Sequence, residues 1–407
     1  MKYLLVFLLV LFASYADIFL FRVGIVPFTP SNFLVPLFIV VAFLRYSVKD
    51  YYDIVKMPSF RFLTFLLVIS ILYAAVSKAE TSILITTISL EVFSILLYLF
   101  AVQFFRTQKK KFLLVFAAIS FIVLAGSVWY DFFIGLPNYN AYLAQSARKG
   151  GFGENPNQAA SGIKFIALGI LLLVNKSKTL KYSVILLTVM SIFLTFSRSG
   201  TVSLIIILIL GTMNNWKPNF QLTAFGQFKS MVQIFVLFSV LYMVLLSLAD
   251  VIKSEFPAFT RGTAGQRMEL LLGKSDQVVF ESDDNSELSR TGLFKSYLYK
   301  FFDNPLGMGT GYSSDKSFNR LKTHNYYLYM AVDFGIIGIA VYLFYLTTII
   351  RTAVKENQYY YFIFGILLVV EGLISHSIFI ERSLLISLAF FDAQLLLNKK
   401  NTAIEKQ

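Results

Sequence analysis

Apolar residues fill most of this chain in long runs, which short polar segments interrupt. A helix that crosses a bilayer needs about 20 mostly apolar residues, so runs near that length favour membrane spans. The pattern predicts an all-α, polytopic integral membrane protein with about twelve transmembrane helices. The predicted spans are residues 3–21, 25–44, 62–76, 83–105, 112–132, 160–174, 182–196, 201–213, 231–250, 326–350, 359–375 and 384–397.

The composition supports this fold class and excludes several kinds of chemistry. Of the 407 residues, 57% are hydrophobic and only 14% are charged, which is more apolar surface than a soluble domain of this length needs. The absence of cysteine excludes disulfides, thiolate catalysis and cysteine metal sites. The two histidines are far apart in sequence, and no group of His, Asp and Glu has the spacing of metal ligands. We therefore predict no metal and no cofactor.

The distribution of basic residues predicts the topology. Lysines and arginines concentrate in alternate connections, so the positive-inside rule places both termini in the cytoplasm. The net charge of +13 then faces the anionic inner leaflet and requires no nucleic acid partner. Segment 3–21 resembles a signal peptide, but it carries Asp17 and lacks a small-residue cleavage site, so we expect it to remain as an anchor.

This topology places the unusual residues outside the cytoplasm. Residues 251–323 form one large extracytoplasmic loop with short helices, and the connections at 134–158, 197–200 and 375–382 lie on the same side. We predict three segments: N-terminal helices at 1–150, a core at 151–350 that contains the large loop, and C-terminal helices with a cytoplasmic tail at 351–407.

Two arginines on the outer side are candidates for binding phosphate. Arg198 separates two apolar runs, where it either reaches the lipid headgroups or binds the phosphate of a lipid substrate through its planar fork of donors. Arg290 opens segment 290–303, whose apolar residues recur at helical spacing. That segment predicts a helix in the interface plane, which either packs the loop on the membrane or holds Arg290 over a headgroup.

A glycine-rich segment leads from this helix to the first histidine. Gly307, Gly309 and Gly311 follow Asn304 and Pro305 at alternate positions, and glycine permits positive φ and close backbone approach. His324 is a natural general base, because histidine has an ordinary pKa near neutrality, although a lone histidine on a loop is more often structural.

Other polar residues have two interpretations each. Asp333, inside a span, either holds a helix partner or takes part in chemistry, and Gly335 and Gly338 favour close approach of another helix. Asn157 either caps the following helix or contacts a sugar. Candidates for buried ion pairs or pocket residues are Glu91, Lys164 and Glu371, and His376 is interpreted as structural.

Four segments carry motifs in a fixed order, and they are residues 155–157, 195–200, 289–309 and 324–338. Together they resemble the O-antigen ligase and polymerase superfamily of bacterial membrane glycosyltransferases. The sequence departs from that family's pattern in two places. Asp333 stands where glutamate is common, and Phe294 is the nearest candidate for the tryptophan that usually follows the loop arginine.

The resemblance implies that a glycan is transferred from undecaprenyl diphosphate to an acceptor hydroxyl outside the cytoplasmic membrane, with inversion and without a metal. Under it, His324 is the catalytic base, and Arg198 and Arg290 bind the diphosphate and stabilise its growing charge. The supporting or sugar-contacting residues would be Asn157, Asn325, Asp333, Gly307 and Gly309.

Within this family we predict a polymerase that joins lipid-linked repeat units into O-antigen or capsule, because the residues specify a donor site and mark no particular acceptor. The expected partners are the undecaprenyl-diphosphate-linked glycan, membrane lipids, and the chain-length regulator and flippase of the same pathway. The alternatives are a ligase that transfers the glycan to lipid A–core or another acceptor, and a flippase of the same lipids. Transporters usually have repeated halves, and none is evident here.

Overall fold

The computed structural model of the chain describes residues 1–137, 148–174, 177–221, 290–319 and 321–405, with isolated positions between 227 and 247. Most of the predicted span at 231–250, and the part of the predicted outer loop at 251–289, lie outside the described residues. All the regular secondary structure in the described residues is helical, which confirms the all-α part of the predicted fold class.

Fourteen α-helices are described, together with short 3-10 turns at Val48–Tyr51, Gly151–Gly153 and Tyr312–Ser314. In chain order they are α1 (Lys2–Ser14), α2 (Ala16–Arg22), α3 (Ser31–Arg45), α4 (Tyr52–Val55), α5 (Pro58–Ala74), α6 (Thr81–Arg106), α7 (Lys110–Phe133), α8 (Pro156–Leu173), α9 (Lys178–Leu194), α10 (Arg198–Met213), α11 (Arg290–Asp303), α12 (Tyr326–Lys355), α13 (Tyr359–Ile374) and α14 (Arg382–Glu405).

Fewer helices than predicted meet the length and hydropathy of a membrane span. Among the described residues, α6, α7, α8 and α12 do so alone, and up to six spans result if two bent pairs each count as one. The predicted single span at 3–21 is wrong in its shape, because Tyr15 has φ 57° and α1 and α2 meet at 66°. The predicted span at 25–44 begins only at Ser31 and bends by 110° into the following short helices. The total of about twelve spans stays a prediction.

The helices pack into two compact units. The first comprises Met1–Leu9, Phe33–Lys109 and Ser282–Gln407, and the second comprises Val10–Asn32 and Lys110–Glu281. This division describes packing, and the predicted functional segments at 1–150, 151–350 and 351–407 stay predictions.

The core of the first unit is held by aromatic packing and by one buried carboxylate. Helix α14 packs against α6, and α12 packs against α13. Asp392, which is fully buried, accepts hydrogen bonds from the hydroxyls of Tyr98 and Tyr361, both at 2.5 Å. Phe62 stacks on Tyr345 with a centroid distance of 4.2 Å. Because a buried carboxylate must be hydrogen-bonded, Asp392 ties α14 to both α6 and α13.

The core of the second unit is built around α8. This helix is buried along nearly its whole length and packs against α7 and α9. Lys164, predicted as a buried ion pair or pocket residue, is 1% exposed and donates a hydrogen bond to the Ser203 hydroxyl at 2.9 Å. The small side chains of Ala159 and Ala160 permit the close packing of the neighbouring helices.

Candidate functional site

The glycine-rich loop of the first unit enters a break in helix α12. Gly335 has φ 63° and ψ −151°, which interrupts the helix and frees backbone groups on both sides of it. The Ile336 amide, which would otherwise bond to Val332, donates instead to the Pro305 carbonyl at 2.9 Å. The Val332 carbonyl accepts from the Met308 amide at 2.8 Å. The loop therefore satisfies the groups that the break releases.

Asp333 completes the attachment of this loop. Its backbone carbonyl accepts from the Gly309 amide at 3.0 Å, and its carboxylate accepts from the amides of Gly311 and Ser313 at 3.0 and 2.9 Å. The side chain is fully buried. Of its two interpretations, the geometry favours a holding role, and the element held is the loop rather than a helix.

The close approach predicted at Gly335 exists, but the predicted partner was wrong. A Cβ at Gly335 would lie 2.3 Å from the Pro305 carbonyl oxygen and 2.7 Å from the Gly307 nitrogen. The neighbour is therefore loop backbone and not another helix. Gly307, Gly309 and Gly311 all have positive φ, a conformation that glycine permits. Their role in sugar contacts stays a prediction.

Replacement of Asp333 by alanine should destabilise the protein by about 3 kcal/mol or more, because two buried amides lose their carboxyl acceptor and remain unsatisfied. The measurement is thermal unfolding of the purified protein in detergent. The control is Asp303→Ala, since Asp303 is an exposed carboxylate at the end of α11. Equal stability of the two variants would contradict the anchoring role of Asp333.

Helix α11 confirms the helix predicted at 290–303, and its apolar face packs against protein. Tyr297 is 1% exposed and belongs to a cluster with Tyr312, Leu328 and Val332. Its hydroxyl donates to the carbonyls of Ser313 and Leu321 at 3.0 and 3.1 Å. Burial raises the pKa of Tyr297 above its ordinary value, so this hydroxyl remains a donor. The position of α11 is thus set by the loop and by the start of α12.

Arg290 is the first residue of α11, and its side chain lies outside the described part of the chain. Phe294, one turn later, is 47% exposed and lines an open pocket.

This pocket contains His324. Its volume is about 200 Å³, and its walls are mostly apolar. Asn325 caps α12, because its side-chain oxygen accepts from the Leu328 amide at 3.0 Å. The cap holds the backbone next to His324, whose side chain is exposed and accessible to a substrate. The residues that line the pocket are Leu293, Phe294, Thr323, His324, Asn325, Leu328, Leu373 and Ile374.

In the second unit, Arg198 is the first residue of α10 and is exposed. Ser197 caps this helix, since its hydroxyl oxygen accepts from the Gly200 amide at 3.1 Å. The N-terminus of a helix carries partial positive charge, and an arginine there adds a full one. The arrangement suits an anion.

Asn157 does not cap α8, so that interpretation was wrong. The cap is Asn155, whose side-chain oxygen accepts from the Asn157 amide at 3.0 Å. The Asn157 side-chain oxygen instead accepts from Arg148 and from the Ser197 hydroxyl, both at 2.9 Å. Asn157 thus connects the loop before α8 to the cap of α10.

The sequence interpretation missed Asp131, near the end of α7. It is 2% exposed, and its carboxylate accepts from the amides of Leu136 and Gly151, both at 3.1 Å. The Lys149 amine lies 3.4 Å from the same carboxylate. The Arg22 guanidinium also bonds to the Gly151 carbonyl. In the sequence, the one indication of this role is that Asp131 is a lone carboxylate near the end of an apolar run.

The comparisons with known proteins bear on these residues. Residues 183–343 match the family model described as O-antigen ligase, and that segment includes Arg198, Arg290, His324 and Asp333. No curated protein matches the chain. The match contains three of the four segments of resemblance, 195–200, 289–309 and 324–338, and it supports the O-antigen ligase and polymerase superfamily for this part of the chain.

Proposed function

We propose that this membrane protein polymerises oligosaccharide repeat units linked to undecaprenyl diphosphate into a surface polysaccharide, O-antigen or capsule. The reaction would occur on the outer face of the bacterial cytoplasmic membrane. The observation that carries the proposal is His324, an accessible histidine in an open pocket, held by a helix cap within the segment that matches the family.

In the proposed reaction His324 accepts the proton of an acceptor sugar hydroxyl. The oxygen attacks the anomeric carbon of the donor while the bond from that carbon to the diphosphate oxygen breaks. The leaving diphosphate takes the electron pair, so attack from the opposite face inverts the anomeric centre. The leaving group is already activated, and the reaction therefore draws on no nucleotide.

Charge grows on the diphosphate as it leaves, and fixed cationic groups stabilise it most effectively. We assign this role to Arg198 and Arg290 on the strength of the family resemblance. For Arg198 the support is its exposure at the capped N-terminus of α10. For Arg290 the support is its position at the start of α11, which packs beside the histidine pocket.

Replacement of Arg198 by alanine should lower kcat/KM for the lipid-linked donor by about 10²-fold, the usual effect of removing one preorganised donor to a developing anion. Lysine should restore part of the loss, because it supplies the charge but not the planar fork. The matched control is Arg351→Ala, an exposed arginine near the end of α12. Unchanged kcat/KM in Arg198→Ala would remove this arginine from the proposal.

A ligase is the second candidate, because the matching family model is described as O-antigen ligase. Purified protein incubated with labelled undecaprenyl-diphosphate oligosaccharide distinguishes the two. A ladder of longer lipid-linked glycans supports the polymerase. Donor consumption only after lipid A–core is added supports the ligase. A donor that stays intact with and without lipid A–core contradicts the polymerase and the ligase, and the flippase is then the remaining candidate.

A further inference from the structure

The first unit contains a second, smaller cavity of about 20 Å³. A site of roughly 10–15 Å³ is enough for one water molecule, provided that polar groups surround it. The polar residues that line this cavity are Glu91, Ser94, Tyr326, Tyr329 and His376. Its size and its lining therefore fit a single bound water.

Two buried polar atoms at this cavity have no hydrogen-bond partner among the described residues. They are the Glu91 Oε2 and the His376 Nδ1. Glu91 is 5% exposed, and its other carboxyl oxygen accepts from the Ser70 hydroxyl at 2.8 Å. Buried polar atoms are hydrogen-bonded as a rule, so one water between these two atoms would satisfy both.

His376 also lies next to the candidate base. The rings of His324 and His376 meet edge to face, with a centroid distance of 6.0 Å. Burial, helped by the nearby Lys322 and His324, lowers the pKa of His376 to about 4. The ring is therefore neutral near pH 7, with one nitrogen that donates and one that accepts.

Glu91 is linked to the glycine-rich loop as well. The Thr310 hydroxyl donates to the Ser70 carbonyl at 2.7 Å, and the Ser70 hydroxyl is the donor to Glu91. The Ser77 hydroxyl in turn donates to the Thr310 carbonyl at 2.8 Å. The carboxyl group is thus held by the elements that support the loop.

We propose that one water joins the Glu91 carboxyl group to His376 Nδ1, and that these two residues form a positioning pair that orients His324. This inference rests on the proposed function. A base that is itself oriented by a third group is the general arrangement of activated nucleophiles, and here the third group would act through the water and the second histidine.

The histidines provide a direct test, because the chain has only two. Protein labelled with ¹⁵N-histidine should give two sets of ring signals, which His376→Gln assigns. We expect Glu91→Gln to shift the His376 ring nitrogens and to move the titration midpoint of His324. The control is Glu356→Gln, a carboxyl group at the C-terminal end of α12, the end opposite to His324, which should leave both histidines unchanged.

Other titratable groups near the pair bear on this titration and are the same in all the variants. They are Asp333, Tyr326 and Tyr329 beside Glu91, and Lys322 beside His376. Histidine signals that are identical in wild type and Glu91→Gln would overturn the proposal.

The kinetic test uses the same variants with the labelled lipid-linked donor. Glu91→Leu should lower kcat by about 10- to 100-fold with little change in KM, by analogy with the loss of the hydrogen-bond partner of a metal-binding histidine. Glu91→Gln should retain more activity, because an amide can bind the same water. It also remains informative if the leucine variant does not fold.

The two proposals fail in different ways. If wild-type protein transfers no glycan, the proposed function fails, while the spectra still report whether Glu91 and His376 are coupled. If transfer occurs and both Glu91 variants keep wild-type kcat, the positioning role is refuted and the proposed function stands.

Discussion

Replacing His324 with alanine should lower kcat for glycan transfer by about 10²- to 10⁴-fold, the contribution of a general base to a proton-transfer step. The side chain is exposed in its pocket, so its loss should leave the fold and the KM for donor nearly unchanged. The measurement is initial chain extension of labelled undecaprenyl-diphosphate oligosaccharide at saturating donor.

Two further variants control this result. His324→Gln keeps a polar side chain of similar size but cannot act as a base, so it should be as inactive as the alanine variant. Lys316→Ala removes an exposed cation from the same loop and should behave as wild type. Near-normal extension by His324→Ala would show that another group accepts the proton.

Replacement of Gly335 by alanine should destabilise the fold by more than about 4 kcal/mol, since two penalties add. Its φ of 63° with ψ of −151° lies in a region that side-chain-bearing residues rarely adopt. An added Cβ would also lie 2.3 Å from the Pro305 carbonyl oxygen, which the hydrogen bond to Ile336 holds in place. Monodisperse yield and thermal stability after purification measure the effect.

Gly126→Ala is the matched control. Gly126 lies inside α7, and a Cβ there would meet no atom within 4 Å. Alanine is preferred over glycine in a helix by roughly 0.5–1 kcal/mol, so this variant should be as stable as wild type or slightly more stable. If Gly335→Ala were as stable as the wild type, that result would contradict a break of α12 at Gly335.

The sequence was informative wherever the signal is local. The helix predicted at 290–303 has the observed bounds, because its apolar period is carried by its own residues and Asn304 with Pro305 ends it. The positive φ of the three loop glycines follows from glycine's lack of a Cβ. The resemblance to the family also rests only on the order and spacing of short motifs.

Other features depend on contacts between distant residues, and no local pattern specifies those. Tyr15 breaks the first apolar run although neither proline nor glycine marks the place. Asn155 and Asn157 are equally good helix caps by residue type. Only the structure shows that the Asn157 side chain accepts hydrogen bonds from Arg148 and Ser197 instead of capping the helix.

Sequence patterning indicated an all-helical membrane protein that resembles the O-antigen ligase and polymerase superfamily, and it indicated which residues are chemically able to act. The three-dimensional packing established what those residues contact. Asp333 and Gly335 lie about 25 residues after the loop that they hold, and the cavity that joins Glu91 to His376 brings together residues nearly 300 positions apart. Hydropathy and helical periodicity record whether a side chain is buried. They do not indicate which group forms a hydrogen bond with a buried polar group, because that depends on which distant segments the fold brings together.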